Sequence, residues 1–452
     1  MEMLWIVLAL VAGWALLLYW LGATGRLARW NMGLLMGIAL MVRTQRGTGT
    51  IEFLSRPKRF WNLVADVGIV VTLLGMAAMT ILFVWSALFA LQPDSGLEPL
   101  GVAEILVIPG VNPFVPLWYG LVALIVTLVV HEGGHGILAR ANNMRLKSLG
   151  LLIAVVPIGA FVEPDEADMK AASRRKRLRV FAAGPAVNLA FASLSLLAFS
   201  SLVGAASFAP GVHVAGVVVD GPAADAGVEG GITFVSVGNV TLADWTAFRG
   251  YLNTTRPGDV VALAANDGRT FQVTLESRWE QLTPEQQQQV VAQNATLAES
   301  LQQQSFLGVR PLLESDVGFL SAPFEQGGIG FLKLISLPIG EIRGSPVLST
   351  YMPAFLEAPA TEGAYWIAAT LCFWLFWINL MVGLTNILPM APLDGGHIFR
   401  DVVGGAVQRL RPSLDEPRRE RVVGRIAAGV GFFILAAFIL QIAGPYLARS
   451  FG

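Results

Sequence analysis

Three residues whose types and spacing suit metal chemistry stand close together: His131, Glu132 and His135. On a helix, residues i and i+4 lie on one face, so the two histidines can direct imidazole nitrogens at a single ion. Glu132 is placed to take a proton from a water on that ion rather than to bind the ion. The three residues lie in a long apolar run, where ionisable groups are rare and usually functional. They predict a hydrolytic metal site, with a polar helix end at the membrane interface as the alternative.

A third protein ligand is needed if a water is to complete a tetrahedral zinc site. Asp394 is the candidate, because it is a lone carboxylate that follows another apolar run and precedes two glycines. Pro389 and Pro392 break the helix before it, and the glycines permit a backbone path that brings the carboxylate to the metal. As a fourth ligand His397 would close the site to water, so we interpret it as a supporting or structural histidine. The sequence therefore predicts one Zn²⁺ per chain, bound by Asp394 and the histidine pair.

The composition of the chain is that of a membrane protein. Of its 452 residues, 54% are hydrophobic and only 14% are charged, whereas soluble domains carry about 25% charged residues. This excludes a soluble globular enzyme, a disordered protein and a coiled coil. The formal net charge of −1 gives no indication of nucleic-acid binding. The single cysteine, Cys372, excludes an internal disulfide and a cysteine-based metal cluster.

Six apolar runs are long enough to cross a bilayer core, which requires about 20 helical residues. They are 3–22, 67–91, 117–139, 178–204, 364–388 and 423–447. A shorter run, 30–42, is expected to lie in the membrane interface. Another, 149–162, contains a proline and a glycine and is expected to form a re-entrant or hairpin segment. The predicted fold class is an all-α polytopic membrane protein with about six transmembrane helices and a small β-rich insert.

The lysines and arginines predict the orientation of these spans. Loops 23–66, 140–179 and 389–425 hold seven, nine and seven of them, and loop 92–116 holds none. Cytosolic loops carry the basic excess, so we expect both termini to be extracytoplasmic and the active site to lie near the cytosolic face. The basic run 174–177 is interpreted as a topology anchor that contacts anionic lipid. We expect a multi-pass protein of the cell membrane.

Residues 205–363 interrupt the membrane pattern and are predicted to be extracytoplasmic. Short strands are expected at 212–219, 234–237, 260–264 and 270–275, with a helix near 244–252. The phrase from Gly221 to Gly227 is similar to the turn-and-helix signature of PDZ domains, which bind an extended peptide as an added strand. The alternative is a small β-domain that acts as a spacer. The glutamine-rich stretch 281–304 is expected to be a solvated helix or a linker, and His213 is expected to be a structural histidine.

These patterns divide the chain into five regions. The regions are an N-terminal membrane region at 1–116, the zinc-helix span with its hairpin and the next span at 117–204, the PDZ-like domain with the glutamine-rich stretch at 205–312, an extracytoplasmic linker or amphipathic segment at 313–363, and the aspartate-motif span with the C-terminal span at 364–452.

Taken together, the motifs resemble the site-2 protease family of intramembrane zinc metalloproteases. The matching phrases are His131-Glu132-x-x-His135, Asn386-x-x-Pro389 leading to Leu393-Asp394-Gly395, Gly184-Pro185-Ala186-Val187-Asn188, and Pro157-Ile158-Gly159-Ala160-Phe161-Val162. The last phrase looks like the segment that follows the zinc helix in the archaeal and eukaryotic branch. The chain departs from the family pattern at the second proline of the aspartate motif, which stands at 392 rather than 391. The spacing from Asn386 to Asp394 is kept.

The resemblance implies hydrolysis of a peptide bond within or at the edge of a substrate's transmembrane helix, with a single-span membrane protein as substrate and the lipid bilayer as the environment. Glu132 would act as general base and then deliver the proton to the leaving amine. Asn386 is the best candidate to donate a hydrogen bond to the developing oxyanion, and Asn188 is a weaker one. Both asparagines could instead be hydrogen-bond partners between helices.

A helical substrate must unwind before its peptide bonds can be attacked. Segment 149–162, which includes Gly159 and Phe161, could then pair with the substrate as an added strand, with a plain cytosolic hairpin as the alternative. The PDZ-like domain would bind a peptide end left by a first cut or exclude substrates with bulky outer domains. No nucleic-acid partner is expected.

Two other functions compete with proteolysis. In a catalytically inactive relative, the PDZ-like domain would bind partners and the membrane part would be a scaffold. The presence of Glu132 together with all three ligands argues against it. A metal or solute transporter would show inverted-repeat symmetry, and the patterns of 1–204 and 364–452 do not mirror each other.

Overall fold

The computed structural model describes residues 2–30, 32–35, 37–92, 109–110, 112–113, 115–154, 156–325, 327–342 and 347–451. The chain divides into two compact units. The first comprises Met1–Ser195 with Trp374–Gly452, and the second comprises Leu196–Phe373.

Helices form most of the described chain. In chain order they are α1 Glu2–Ala23, α2 Arg26–Arg29, α3 Thr48–Leu54, α4 Lys58–Ala90, α5 Leu117–Ala141, α6 Glu166–Ala171, α7 Arg174–Phe181, α8 Ala183–Ala205, α9 Pro222–Asp225, α10 Trp245–Leu252, α11 Pro284–Gln293, α12 Ala295–Gln303, α13 Glu314–Val317, α14 Ile329–Ile342, α15 Met352–Phe355, α16 Glu362–Asn386, α17 Asp394–Leu410 and α18 Glu416–Phe451. A 3₁₀ turn covers Gly318–Leu320 and a π-helical turn covers Val347–Tyr351.

The strands are short except in one hairpin. They are β1 Met32–Leu35, β2 Ala39–Thr44, β3 Leu146–Ala154, β4 Val156–Pro164, β5 Ser207–Phe208, β6 Val212–Val217, β7 Thr233–Val237, β8 Val240–Thr241, β9 Val260–Ala265, β10 Thr270–Thr274, β11 Glu276–Ser277, β12 Ser305–Phe306, β13 Val309–Pro311 and β14 Leu356–Glu357.

Within the described ranges, five helices are long and apolar enough to cross a membrane: α4, α5, α8, α16 and α18. They correspond to five of the six predicted runs, and they support a multi-pass membrane protein. The first predicted run, 3–22, coincides with α1, of which Ala12–Ala23 is a shorter apolar helix. A sixth span therefore stays a prediction.

The fourth predicted run, 178–204, divides into two helices. Its first residues belong to the basic helix α7, and the apolar helix α8 begins only at Ala183. Ala182 forms the C-cap of α7, so the two helices follow each other almost without a loop. The sequence does not show this break, because the last residues of α7 are mostly apolar and continue the apolar run of α8. They are apolar because they face the interior of the first unit, where Val180 and Ala182 are buried.

A four-stranded antiparallel sheet in the first unit has the order β1-β2-β3-β4. The run 30–42, expected at the membrane interface, contains β1 and part of β2, which form a hairpin whose second strand pairs with β3. Segment 149–162 forms the β3–β4 hairpin, with Leu149 opposite Val162 and Gly150 opposite Phe161. A Cβ at Gly150 would collide with the ring of Phe161, so glycine is required where this aromatic ring crosses the neighbouring strand.

The second unit contains a β-rich domain, as predicted. Its largest sheet has the order β10-β9-β7-β6-β13, with β8 paired to β7. The core of this sheet packs against α10, and Phe234, Phe248 and Leu263 are fully buried there. The strands and the helix lie where the sequence predicts them, and the PDZ interpretation stays a prediction.

His213 lies in β6 and is buried. Its Nδ1 atom is 2.8 Å from Thr233 Oγ1 and its Nε2 atom is 2.8 Å from the Ala209 carbonyl oxygen. Both ring nitrogens are therefore satisfied, and burial lowers the pKa of the imidazole. His213 is a structural histidine of the domain core, as its place in an alternating strand predicts.

Candidate metal centre

The two histidines of α5 face the same point. Their Nε2 atoms are 3.2 Å apart, which is the consequence of the i, i+4 spacing on one helix face. Asp394 Oδ2 lies 3.1 Å from His131 Nε2 and 3.3 Å from His135 Nε2. The side chains of His131, His135 and Asp394 are only 9%, 11% and 16% exposed, respectively. The structure thus brings together the three residues that the sequence predicts as metal ligands.

Asp394 reaches this point because the chain folds back tightly after α16. The turn between α16 and α17 contains the cis peptide bond Ala391–Pro392, and Asp394 is the first residue of α17. A Cβ at Gly395 would collide with the carbonyl oxygens of Ile387 and Leu388. Glycine is therefore needed here for the close approach of two chain segments, and this approach places the carboxylate beside the histidines.

His135 has a fixed hydrogen-bond partner on the side away from the metal group. Its Nδ1 atom is 2.7 Å from the carbonyl oxygen of Val180, near the end of α7. A carbonyl only accepts, so Nδ1 carries the proton and Nε2 keeps a free lone pair. This is the tautomer that a metal ligand requires.

His131 is held by Asn188 of α8, whose amide nitrogen is 3.0 Å from His131 Nδ1. Asn188 is fully buried, and in this orientation of the amide its Oδ1 atom has no hydrogen-bond partner among the residues that the structure describes. The reverse orientation gives Oδ1 the Nδ1 proton of His131 and leaves His131 Nε2 free for a metal. Asn188 was a weak oxyanion candidate from the sequence, and the structure places it behind a ligand.

Gly184 forms the floor under the two histidine nitrogens. A Cβ there would collide with His135 Nε2 and would lie 2.6 Å from His131 Nε2. Two imidazole nitrogens and one carboxylate oxygen, with both imidazoles held through their far nitrogens, form a donor set that suits zinc with a fourth position left for water. The residues therefore fit the metal that the sequence predicts.

Glu132 lies next to His131 in the sequence, but its carboxylate bonds to the main chain of β4 rather than to the ligand group. Its Oε2 atom accepts a hydrogen bond of 2.8 Å from the main-chain N–H of Val162 in β4. It also lines a cavity of about 730 Å³, whose walls come from the β2–β4 part of the sheet, α3, α5 and α8 and are almost entirely apolar. A carboxylate outside the group of predicted ligands thus faces an apolar space.

Comparison with known proteins agrees with this geometry. The profile of peptidase family M50 matches residues 119–438, more than half of the chain. The chain belongs to peptidase family M50, the site-2 protease family. The resemblance predicted from the motifs is confirmed.

Several relatives of this M50 family member are zinc metalloproteases by name. A putative zinc metalloprotease of Clostridium perfringens is 24% identical over 65% of this chain and 90% of the relative. The zinc metalloprotease Rip1 of Mycobacterium tuberculosis is 23% identical over 61% of this chain and 82% of the relative. An uncharacterised protein of Methanocaldococcus jannaschii is 22% identical over 88% of this chain and 84% of the relative.

The other residues that the sequence predicts for the site lie in three different elements of this M50 family member. Asn386 is the last residue of α16 and is partly buried, and its role in catalysis stays a prediction. His397 stacks on Phe181, with ring centroids 4.9 Å apart, so its observed contact is structural. Gly159 is buried in β4, and Phe161 of the same strand lines the cavity beside Glu132.

Ion pairs of helix α7 were not predicted. Arg175 and Arg179 both bind Asp66 of α4, and Arg177 binds Asp401 of α17. The hydrogen bond to Asp401 raises the pKa of Arg177. Arg177 is thus engaged within the first unit, and the interpretation of run 174–177 as a topology anchor stays a prediction. Sequence reasoning missed these pairs because the partners are more than a hundred residues away and carry no local signature.

Proposed function

We propose that this chain is a zinc metalloendopeptidase that hydrolyses a peptide bond within or at the edge of a substrate's transmembrane helix. The observation that carries the proposal is the group of His131, His135 and Asp394, whose ligand atoms lie within 4.8 Å of one another. Membership of the M50 family and the zinc metalloprotease names of several relatives support it.

When bound by these three residues, zinc would act as a Lewis acid on the scissile carbonyl. It would also lower the pKa of water, so that the water can be deprotonated and attack near neutral pH. Glu132 takes the proton of the attacking water and returns it to the leaving amine. The N–H of Val162 holds the Glu132 carboxylate in one orientation for both transfers. Asn386 donates a hydrogen bond to the carbonyl oxygen as negative charge develops on it.

The β3–β4 hairpin offers a pairing edge for an unwound substrate. In the described part of the chain β4 pairs with β3 alone, so no strand is bonded to its other edge. Val162 N–H points from this edge to Glu132. Because outward groups alternate along a strand, the N–H and carbonyl of Ala160 point the same way. A substrate strand paired at Ala160 would have its next peptide bonds beside Glu132, which supports strand addition over a plain hairpin.

The apolar cavity suits the class of substrate. Its lining includes Val130, Ile137 and Phe161 as well as Glu132. Apolar side chains of an unwound transmembrane segment stay shielded from water in such a space, whereas burying polar side chains there costs free energy, so apolar segments are favoured over polar peptides. A single-span membrane protein is therefore the proposed substrate, in the cell membrane, with one zinc ion per chain and the active site near the cytosolic face.

The β-rich domain is proposed to act on the same substrate outside the membrane. It would bind a peptide end as an added strand or exclude substrates with bulky outer domains. One edge strand of its main sheet, β13, pairs with β6 on one side, and strand addition there would use the opposite side.

The experiment that tests the proposal compares wild type with Glu132→Gln in detergent. Each protein is incubated with a panel of single-span substrates, and the products are mapped by mass spectrometry. Removal of the general base should lower the rate by about 10²–10⁴-fold, with zinc content unchanged because Glu132 is not a ligand. A chelator should abolish cleavage by wild type.

Glu166→Gln is the matched control, because Glu166 is an exposed carboxylate of α6 paired only with Lys170 among the described residues. It should cleave as wild type does. Cleavage by Glu132→Gln at the wild-type rate would contradict the assigned base. A wild-type chain that binds no zinc would contradict the metalloprotease proposal and favour the inactive scaffold.

A further inference from the structure

Helix α7 packs one stripe of side chains against α17. Arg177 binds Asp401 with two hydrogen bonds of 3.0 and 2.7 Å. Arg174 donates to Gln408 Oε1 at 3.0 Å, and Phe181 stacks on His397. Residues 174, 177 and 181 follow the i, i+3, i+7 spacing of one helix face. The contact therefore runs along the whole of α7.

The stripe that α17 presents to α7 includes the third ligand. Positions 394, 397, 401 and 408 are i, i+3, i+7 and i+14 and so share one face of the helix. Asp394 begins this face, and Asp401 lies two turns further along it. Since a helix is rigid over two turns, any movement of Asp401 along or around the helix axis moves Asp394 with it.

Helix α7 also contacts the helix that carries the histidines. The carbonyl oxygen of Val180, next to Phe181, is the hydrogen-bond partner of His135. The other face of α7 is bound to α4 through Asp66, which accepts from both Arg175 and Arg179. One short helix thus contacts both halves of the ligand set and is itself held in place.

We propose that Arg177 and Asp401 are positioning residues of the metal site: their ion pair holds α17 in register with α7 and thereby sets the distance between the Asp394 carboxylate and His135. This inference rests on the metal site of the proposed function and extends it to residues that touch neither metal nor substrate. The pair suits the role because it is bidentate, which fixes direction as well as distance. It is also partly shielded, with side-chain exposures of 27% and 16%.

The test measures zinc affinity of the full-length chain in detergent by competition with a chromophoric chelator. In Asp401→Asn the bidentate ion pair is lost and α17 is free to shift. Zinc should bind about 10- to 100-fold more weakly, the usual effect of removing a group that supports a ligand. Arg177→Lys keeps the charge but loses the bidentate geometry and should show a smaller loss of zinc affinity.

Asp168→Asn is the matched control. It makes the same substitution in another bidentate pair of the first unit, the one between Asp168 of α6 and Arg145. Both partners lie outside α7 and α17. Zinc affinity should be unchanged. If Asp401→Asn and Asp168→Asn bind zinc equally well, the positioning role is overturned.

A charge exchange separates positioning from a general loss of folding. The double variant Arg177→Asp with Asp401→Arg restores an ion pair of the opposite sense. It should regain most of the zinc affinity that the single variants Arg177→Asp and Asp401→Arg each lose. This expectation holds even if one of these single variants fails to fold. Failure of the double variant to bind zinc better than either single variant would overturn the proposal.

The two proposals can fail separately. If wild type binds zinc and cleaves nothing, the protease function fails, and the zinc affinities still decide the role of Arg177 and Asp401. If wild type cleaves and Asp401→Asn binds zinc as the control does, only the positioning role fails.

Discussion

The two histidines predicted to bind the metal are held from behind by different kinds of groups. A main-chain carbonyl, that of Val180, accepts from His135, whereas a side chain, that of Asn188, contacts His131. Both contacts fix the ring orientation and leave Nε2 directed at the metal position. At the scale of single residues, the ligand set is therefore complete only with these two partners.

Replacing Asn188 with alanine should weaken zinc binding by about 10- to 100-fold, because His131 loses the contact that orients its ring. Chelator competition on the purified chain measures the effect. Ser193→Ala is the control on the same helix, since Ser193 is exposed and bonds only to the Leu189 carbonyl in the described structure. Equal zinc affinity of the two variants would show that His131 needs no partner on Nδ1.

The sequence predicted the ligands but not their supports. His131, His135 and Asp394 could be found because ionisable residues in apolar runs are rare and the i, i+4 spacing has a geometric meaning. Val180 acts through its carbonyl, which every residue type carries, so no sequence signal marks it. For Asn188 the sequence leaves two roles open, an oxyanion donor or a hydrogen-bond partner between helices, and its contact with His131 of α5 is of the second kind.

At the scale of elements, the site depends on how closely α5 and α8 approach. Gly134 of α5 and Gly184 of α8 lie where the helices meet. A Cβ at Gly134 would be 3.1 Å from Val187 Cγ2, and one at Gly184 would strike the histidine nitrogens. Small residues allow such contact between helices in membranes, and here they also leave room for the ligands.

Gly184→Ala should lower zinc affinity by at least about 10-fold, because its methyl group occupies the place where the two Nε2 atoms converge. Gly429→Ala in α18 is the control, since a Cβ there meets nothing within 4 Å. Both changes raise helix propensity, so a loss confined to Gly184→Ala cannot come from the helix itself. Isothermal titration with zinc, read together with thermal unfolding, measures both effects. An unchanged zinc affinity in Gly184→Ala would contradict the close approach of Gly184 to the two histidine Nε2 atoms.

Element prediction succeeded where periodicity is long and uninterrupted. Helices α5 and α16 lie within two residues of their predicted bounds. The hairpin of β1 and β2 was missed because run 30–42 is mostly apolar without regular alternation, and such a run does not distinguish a strand from an interfacial segment. Pairing with β3 decides its structure, and pairing partners cannot be read from a short apolar run.

At the scale of the whole molecule, the basic loops predict which side of the membrane each region faces. The β-rich domain is expected outside, and the loop between α17 and α18 is expected in the cytosol. The five long apolar helices agree with a multi-pass protein, and the orientation of the chain is a prediction that labelling can test.

Single cysteines placed at Gln288 and Ser413, both exposed, should be labelled from opposite sides of the membrane in a Cys372→Ala background. A membrane-impermeant maleimide applied to intact cells should modify Gln288→Cys fully and Ser413→Cys only after lysis, because the reagent does not cross the bilayer. Labelling of both positions from outside would contradict the predicted topology.

The hydrogen bond between Val162 N–H and Glu132 has a consequence for how the sequence of this M50 family member can change over generations. Like the Val180 carbonyl, Val162 N–H belongs to the main chain, so almost any codon at either position preserves the contact, proline at Val162 being the exception. Asn188 acts through its amide, and a single nucleotide change can remove it. Of these three contacts, only the one between Asn188 and His131 is easily lost by mutation. A change at Asn188 is therefore the readiest way for binding of the predicted metal to weaken.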